Sequence, residues 1–225
     1  IARQSGRTSL DAETLAHCHG VDVWHAYELY WLDGSGKPVA RIGRFTVPAN
    51  SPNIIESKSF KLYLNSLNSE SFADSDTVKR TLVTDLSAVA GSEVAVEICD
   101  IDDPEVAAEP LEAICIDDAP LPQGIGAQPE PSLLAIDAGR WVKESLASHL
   151  LRSLCPVTGQ PDWASIRIRY QGPAIERRAL LAYLLGFRQH QELDEQIGAG
   201  IYSALYAMCT PGSCTVQAFF TPRRR

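Results

Sequence analysis

The sequence predicts an α+β chain of two tandem modules, each an antiparallel sheet with paired helices on one face. Three observations carry this reading. Segments with the alternation or β-branched content of strands precede segments with helical spacing, in the order strand, strand, helix, helix, strand, strand. The same order begins again in the second half and lacks only its last strand. Between the halves, APLPQGIGAQPEPS (residues 119–132) is punctuated by proline and glycine, which sets a boundary there and divides the chain into 1–120 and 121–225.

The elements follow in order. Val21 to Leu32 is rich in β-branched and aromatic residues, DGSGKP is a run of turn formers, and Val39 to Val47 resumes as a strand, so a hairpin is expected. Phe60, Tyr63, Leu64 and Leu67 recur at helical spacing, as do Val78, Leu82, Leu86 and Val89. Val94, Val96 and Ile98 alternate as a half-buried strand, and Leu111 to Ile116 reads as a further one. After the boundary, Trp141 to Leu154 reads as a strand despite helix-friendly residues. Ile166, Ile168 and Tyr170 alternate with Arg167 and Arg169 in the clearest strand of the chain. Helical spacing returns over Ile175 to Leu185 and at Leu193, Ile197, Ile201 and Leu205, before Cys214 to Phe220 closes as a strand. Each module is too small to close a barrel alone, which suggests that strands of both join in one sheet or that copies associate.

Composition narrows the function. A chain of 225 residues with 45% hydrophobic and 21% charged residues is ordinary for a globular protein. A net charge of -8 argues against tight, sequence-independent binding to a nucleic-acid backbone, whose affinity is built from neutralised phosphates. The acidic stretch Glu93 to Asp118 and the closing Arg223, Arg224 and Arg225 read as a solvated face and a basic tail. No apolar run approaches the roughly 20 residues that span a bilayer, and the start lacks the pattern of a signal peptide, so a cytoplasmic protein is expected. A first residue of Ile1 rather than Met suggests that a leading segment is missing. Six scattered cysteines in a chain of this size read as reduced thiols. His17, Cys18 and His19 alternate in direction if extended and have no second ligand pair at zinc spacing, so no metal is expected.

Two stretches suit chemistry. In IIESKSFKLYLNSLN (Ile54 to Asn68), Glu56, Ser57, Lys58, Ser59 and Lys61 surround the start of a helix. Ser57 or Ser59 can cap it, and its N–H groups with two lysines would attract a phosphate. An ordinary capped amphipathic helix reads equally well. In LRSLCPVTGQPDW, Pro156 forces Cys155 to be extended, Thr158, Gly159 and Gln160 make a turn, and Asp162 returns before the next strand. A thiol and a carboxylate facing one pocket could act as nucleophile and proton donor. The competing reading is a small buried hydrophobe. In QHQELDEQ, Asp194 and Glu195 in a first helical turn need no role beyond the helix dipole.

Together VDVWHAYELYWLDGSGKP, IIESKSFKLYLNSLN, CIDD (Cys115 to Asp118), SHLLRSLCPVTGQPDWASIRI and FRQHQELDEQ resemble the QueF family, the NADPH-dependent 7-cyano-7-deazaguanine reductases, in its long two-module form. The resemblance implies tandem tunnelling-fold (T-fold) modules and a homodimer. It also implies four-electron reduction of a nitrile to a primary amine by two NADPH, on the route to the tRNA base queuosine, without a metal. By it, Cys155 forms a covalent thioimide and Asp162 supplies the proton. Glu56 and Glu195 pair with the guanine-like edge of the substrate, and Ser57, Lys58, Ser59 and Lys61 contact the cofactor. The chain departs from the pattern where Asp194 replaces a family histidine and where an Arg- and Gly-rich closing segment would follow TPRRR. A deazapurine-binding protein without turnover, and a thiol-dependent hydrolase or amidinotransferase-like enzyme, are the competing functions.

Overall fold

A tight turn closes the first hairpin. The Asp33 carboxylate accepts from the Ser35 N–H (2.8 Å), the Ser35 hydroxyl (2.6 Å) and the Lys37 N–H (3.0 Å), while Gly36 takes a φ of 81° that a side chain would oppose. The computed structural model describes residues 1–8, 10, 12–16, 18–103, 111–121 and 128–221. His17, the middle of the Pro-rich stretch, part of the acidic stretch and Arg223 to Arg225 lie outside the described residues. The chain forms two compact units, Ile1–Thr8 with His19–Glu109 and Ser9–Cys18 with Pro110–Arg225; a short helix α1 (Ala12–Ala16) belongs to the second.

In the first unit, β1 (Val21–Leu32) pairs antiparallel with β2 (Pro38–Pro48), which pairs antiparallel with β3 (Ala95–Cys99). Helices α2 (Ser57–Ser66) and α3 (Ser75–Ala90) cover one face, and Leu29, Trp31, Phe45 and Val47 of the sheet pack on Phe60, Leu64, Val78 and Leu82. Of the apolar positions that set the helical spacing in the sequence, Phe60, Leu64, Leu67, Val78, Leu82 and Leu86 are buried, Tyr63 is half-buried and Val89 faces solvent at 55% exposure, so the periodicity records this packing except at the last position. Asp74 caps α3 by accepting from the Thr77 N–H at 2.7 Å, and Gly91 ends it with a φ of 69°.

The second unit repeats this order. β5 (Ile136–Leu154) pairs antiparallel with β6 (Pro161–Ile175), and β6 with β7 (Ser213–Phe220). Helices α4 (Arg177–Leu185) and α5 (Asp194–Cys209) bury Leu180, Leu184, Ile197, Ile201 and Leu205 against Leu146, Leu151, Ile166 and Ile168. The helix expected from Ile175 starts at Arg177, because Ala174 and Ile175 are still paired with Asp137 and Ile136.

One strand departs from expectation. The segment Leu111 to Ile116 contributes only β4 (Ile114–Cys115), which pairs in parallel with Leu146 and Ala147 of the second sheet rather than adding to the first. Local composition cannot say which sheet edge a strand joins; the open edge of β5 decides it, and Ile116 adds an N–H bond to the Ala147 carbonyl at 2.9 Å.

The repeat extends to irregularities. β1 slips register between Ala26 and Leu29, and β5 between Ser148 and Leu151, each by one extra residue. Each long strand then ends on a parallel bridge to the link between its two helices, Leu32 with Ser71 and Leu154 with Gln191. No described helix is long and apolar enough to cross a membrane.

Candidate functional site

The end of the β5–β6 hairpin sets the direction of three side chains. Leu154 opposes Pro161 and Ser153 opposes Asp162, while the Cys155 N–H donates to the Gln160 carbonyl (2.9 Å) and the Gly159 N–H to the Cys155 carbonyl (2.8 Å). Strand alternation therefore turns Ser153, Cys155 and Asp162 to the helix-covered side of the sheet. Cys155 is 6% and Asp162 7% exposed. Diagonal neighbours on one sheet face stand roughly 7–8 Å apart, which brings thiol and carboxylate to the same end of that face. The Ser153 hydroxyl beside them is buried with no hydrogen-bond partner among the described residues. A buried polar atom left so is costly unless something else bonds to it.

The Gln189 to Gln196 segment docks at the same end. The Leu154 N–H donates to the His190 carbonyl (2.9 Å) and the Glu192 N–H to the Leu154 carbonyl (3.2 Å), so α5 starts close to Cys155. Asp194 and Glu195, half-buried, form its first turn, and the N-cap residue Leu193 brings no capping side chain. Their charges favour the helix dipole there. The second unit thus gathers Cys155, Asp162 and Glu195 at one end.

Glu56, Ser57, Lys58, Ser59 and Lys61 gather in the first unit at the start of α2. The expected serine cap is absent: Glu56 is the N-cap, with Oε1 accepting from the Lys58 N–H and Oε2 from the Ser59 N–H, both at 2.8 Å. Its Oε2 also accepts from the Ser59 hydroxyl at 2.8 Å. The longer side chain reaches both N–H groups at once, leaving the serines inside the first turn. Burial pushes the Glu56 carboxyl up, but hydrogen bonds from Lys58, Ser59 and Ser57 outweigh it and hold the group below its ordinary range. The seat expected for a phosphate is filled by the chain's own carboxylate. Lys58 and Lys61 are exposed on α2, Lys61 standing 3.7 Å from Glu28.

A supporting network escaped the sequence reading. Asp117 accepts from the buried Ser148 hydroxyl (2.6 Å) and the His149 N–H (3.1 Å), pinning the extra residue of the β5 bulge. Its only sequence signal was the CIDD run after β4. Farther along the sheet, the Tyr170 hydroxyl donates to Glu144 (2.7 Å) and accepts from the Ile175 N–H (2.8 Å). Burial pushes the Cys209 thiol up to about 11 and Cys214 to about 12, so both stay protonated near neutral pH. No group of three or more His, Cys, Asp and Glu among the described residues has the geometry to hold a metal ion.

Fold and site define a two-unit α+β protein whose second unit holds a thiol and a carboxylate on one buried sheet face. A family model described as "Nitrile reductase, 7-cyano-7-deazaguanine-reductase N-term" matches residues 1–98, and one described as "QueF-like protein" matches 161–224. The chain belongs to the QueF family, with two modules. At the level of the family this is a nitrile reductase, an oxidoreductase of queuosine biosynthesis.

Proposed function

We propose that this protein reduces the nitrile of 7-cyano-7-deazaguanine to the aminomethyl group with NADPH, through a thioimide on Cys155. The observation that carries the reading is the shared buried face of Cys155 and Asp162 in a chain of the QueF family. The Cys155 sulfur adds to the nitrile carbon and Asp162 delivers a proton to the nitrile nitrogen, converting a linear, weakly electrophilic group into one that accepts hydride. Bound NADPH supplies hydride, twice, so that four electrons and, in all, four hydrogens reach the C–N unit; carbon–sulfur cleavage returns Cys155 to the thiol. The burial of Cys155 and Asp162 keeps water from hydrolysing the covalent intermediate.

Glu195, half-buried at the start of α5, accepts the paired N–H groups of the guanine-like edge. Glu56 is the other carboxylate that the family resemblance gives to substrate binding, and in this structure it caps α2. Lys58 and Lys61 offer point charges to one phosphate group of NADPH, with Ser57 and Ser59 beside them, since Glu56 fills the helix end itself. Tunnelling-fold modules, a cytoplasmic homodimer and the absence of a metal belong to the same reading.

The test is an intact-mass spectrum of the protein with 7-cyano-7-deazaguanine, without and then with NADPH. One ligand mass gained, lost on adding NADPH with release of the amine, is the expected result. An adduct that persists with NADPH would leave a thiol trap without reduction, and an adduct surviving Cys155→Ala would sink the mechanism. Asp194→His, which brings in the family's residue, is expected to raise the steady-state rate.

A further inference from the structure

The helix-free face of the second sheet carries a charge pattern that the site above does not use. Ala164, Ile166 and Ile168 of β6 face α4 and α5, so Arg167 and Arg169 point the other way, with Gln217 of β7 directly opposite Arg167. Arg152 and Lys143 of β5 share this face, and none of its strand residues is an acid, in a chain of net charge -8. Such local excess of one sign is unexpected unless something negative meets it.

The two arginines are held together by a neutral group. Gln217 Oε1 accepts from Arg167 Nε (3.0 Å), Arg167 Nη2 (2.8 Å) and Arg169 Nη2 (3.1 Å). No carboxylate lies within ion-pair distance of either arginine among the described residues. Two like charges converging on one uncharged oxygen repel each other, and an anion bridging them reverses the sign of that interaction. Each guanidinium carries five N–H donors in a planar fork, so donors beyond those given to Gln217 remain for a phosphate. Exposed rings flank them: Phe219 is 43% and Trp163 46% exposed, and the Arg167 guanidinium lies 5.8 Å from the Phe219 ring centroid. A flat base finds stacking surface beside the cations.

We propose that Arg167 and Arg169, joined by Gln217, take a phosphate group of a nucleotide on the helix-free face of the second unit's sheet. The choice of nucleotide, NADPH, rests on the function proposed above; the anion site rests on the geometry alone. It lies apart in sequence and in unit from the α2 lysines.

Equilibrium titration of the whole chain with NADPH, and separately with inorganic pyrophosphate, tests it in Arg167→Gln, Arg169→Gln and Arg169→Lys variants. Each glutamine variant is expected to weaken both probes at least tenfold, as loss of a charged hydrogen-bond donor does. Arg169→Lys is expected to recover part of the loss, and Cys155 adduct formation with the nitrile to be unchanged. Wild-type affinity for both probes in both glutamine variants would overturn the site, as would failure of the wild type to bind either. Pyrophosphate binding that depends on the arginines, without NADPH binding by the wild type, would uphold the anion site and remove the cofactor reading instead.

Discussion

Asp33 and Cys155 hold the same place in the two units. Each follows a long strand, donates its N–H to the residue closing the turn (Lys37 and Gln160 carbonyls, both 2.9 Å), and accepts from a positive-φ glycine (Gly36 at 2.9 Å, Gly159 at 2.8 Å). In the first unit the side chain at this place spends one carboxylate oxygen, Oδ1, on the turn; in the second, where Gly159 and Thr158 shape a longer turn, it is a buried thiol. One scaffold thus gives the same position to a turn-forming carboxylate in one copy and to a buried thiol in the other.

Glu56→Gln should cost about 1 kcal/mol, the usual value of an N-cap. The native carboxyl sits below its ordinary value of 4.5, so the cap's contribution is complete above that pH and is lost as pH falls through the lowered native value. Urea midpoints at pH 6 and at pH 3.5 check this: the gap between wild type and variant should shrink at the lower pH.

Asp117→Ala strips a buried hydroxyl and a bulge N–H of their acceptor, a loss of about 1–3 kcal/mol. Because a one-residue slip of β5 would turn Cys155 to the other face, adduct formation should slow by more than the loss of stability alone predicts. Adduct rate and melting temperature measured together separate these effects; Asp117→Asn should restore part of both.

Cys209 and Cys214, pushed up to about 11 and 12 by burial, should resist iodoacetamide in the folded protein at pH 8, whereas exposed Cys115 should react. Peptide mapping after a timed exposure reads this. Modification of Cys214 before Cys115 would contradict the burial assigned to it.

Thr210 ends α5 with a φ of 42°, the place where Gly91 ends α3. A β-branched residue is strained there, so Thr210→Gly should raise stability by about 1 kcal/mol, read as a higher urea midpoint with an unchanged slope.

Much of the fold was legible because burial writes periodicity into sequence. Phe60, Leu64 and Val78, Leu82 announced α2 and α3, and the β6 alternation announced its two faces. The thiol and carboxylate were legible too, since Pro156 and Gly159 mark a short turn that returns the chain beside itself. The serine cap of α2 was misread because Glu56 outreaches the serines, a matter of side-chain length and backbone position that spacing does not encode.

By itself the sequence determined the repeat, the element types and the return of Asp162 beside Cys155 across a short turn, all of which depend on neighbours along the chain. Tertiary structure alone decided that β4 joins the second sheet, that Asp117 pins the bulge aiming Cys155, and that Arg167 and Arg169 converge on Gln217. Those contacts join residues far apart in the chain, and their partners are chosen by register and open edges that no local pattern specifies.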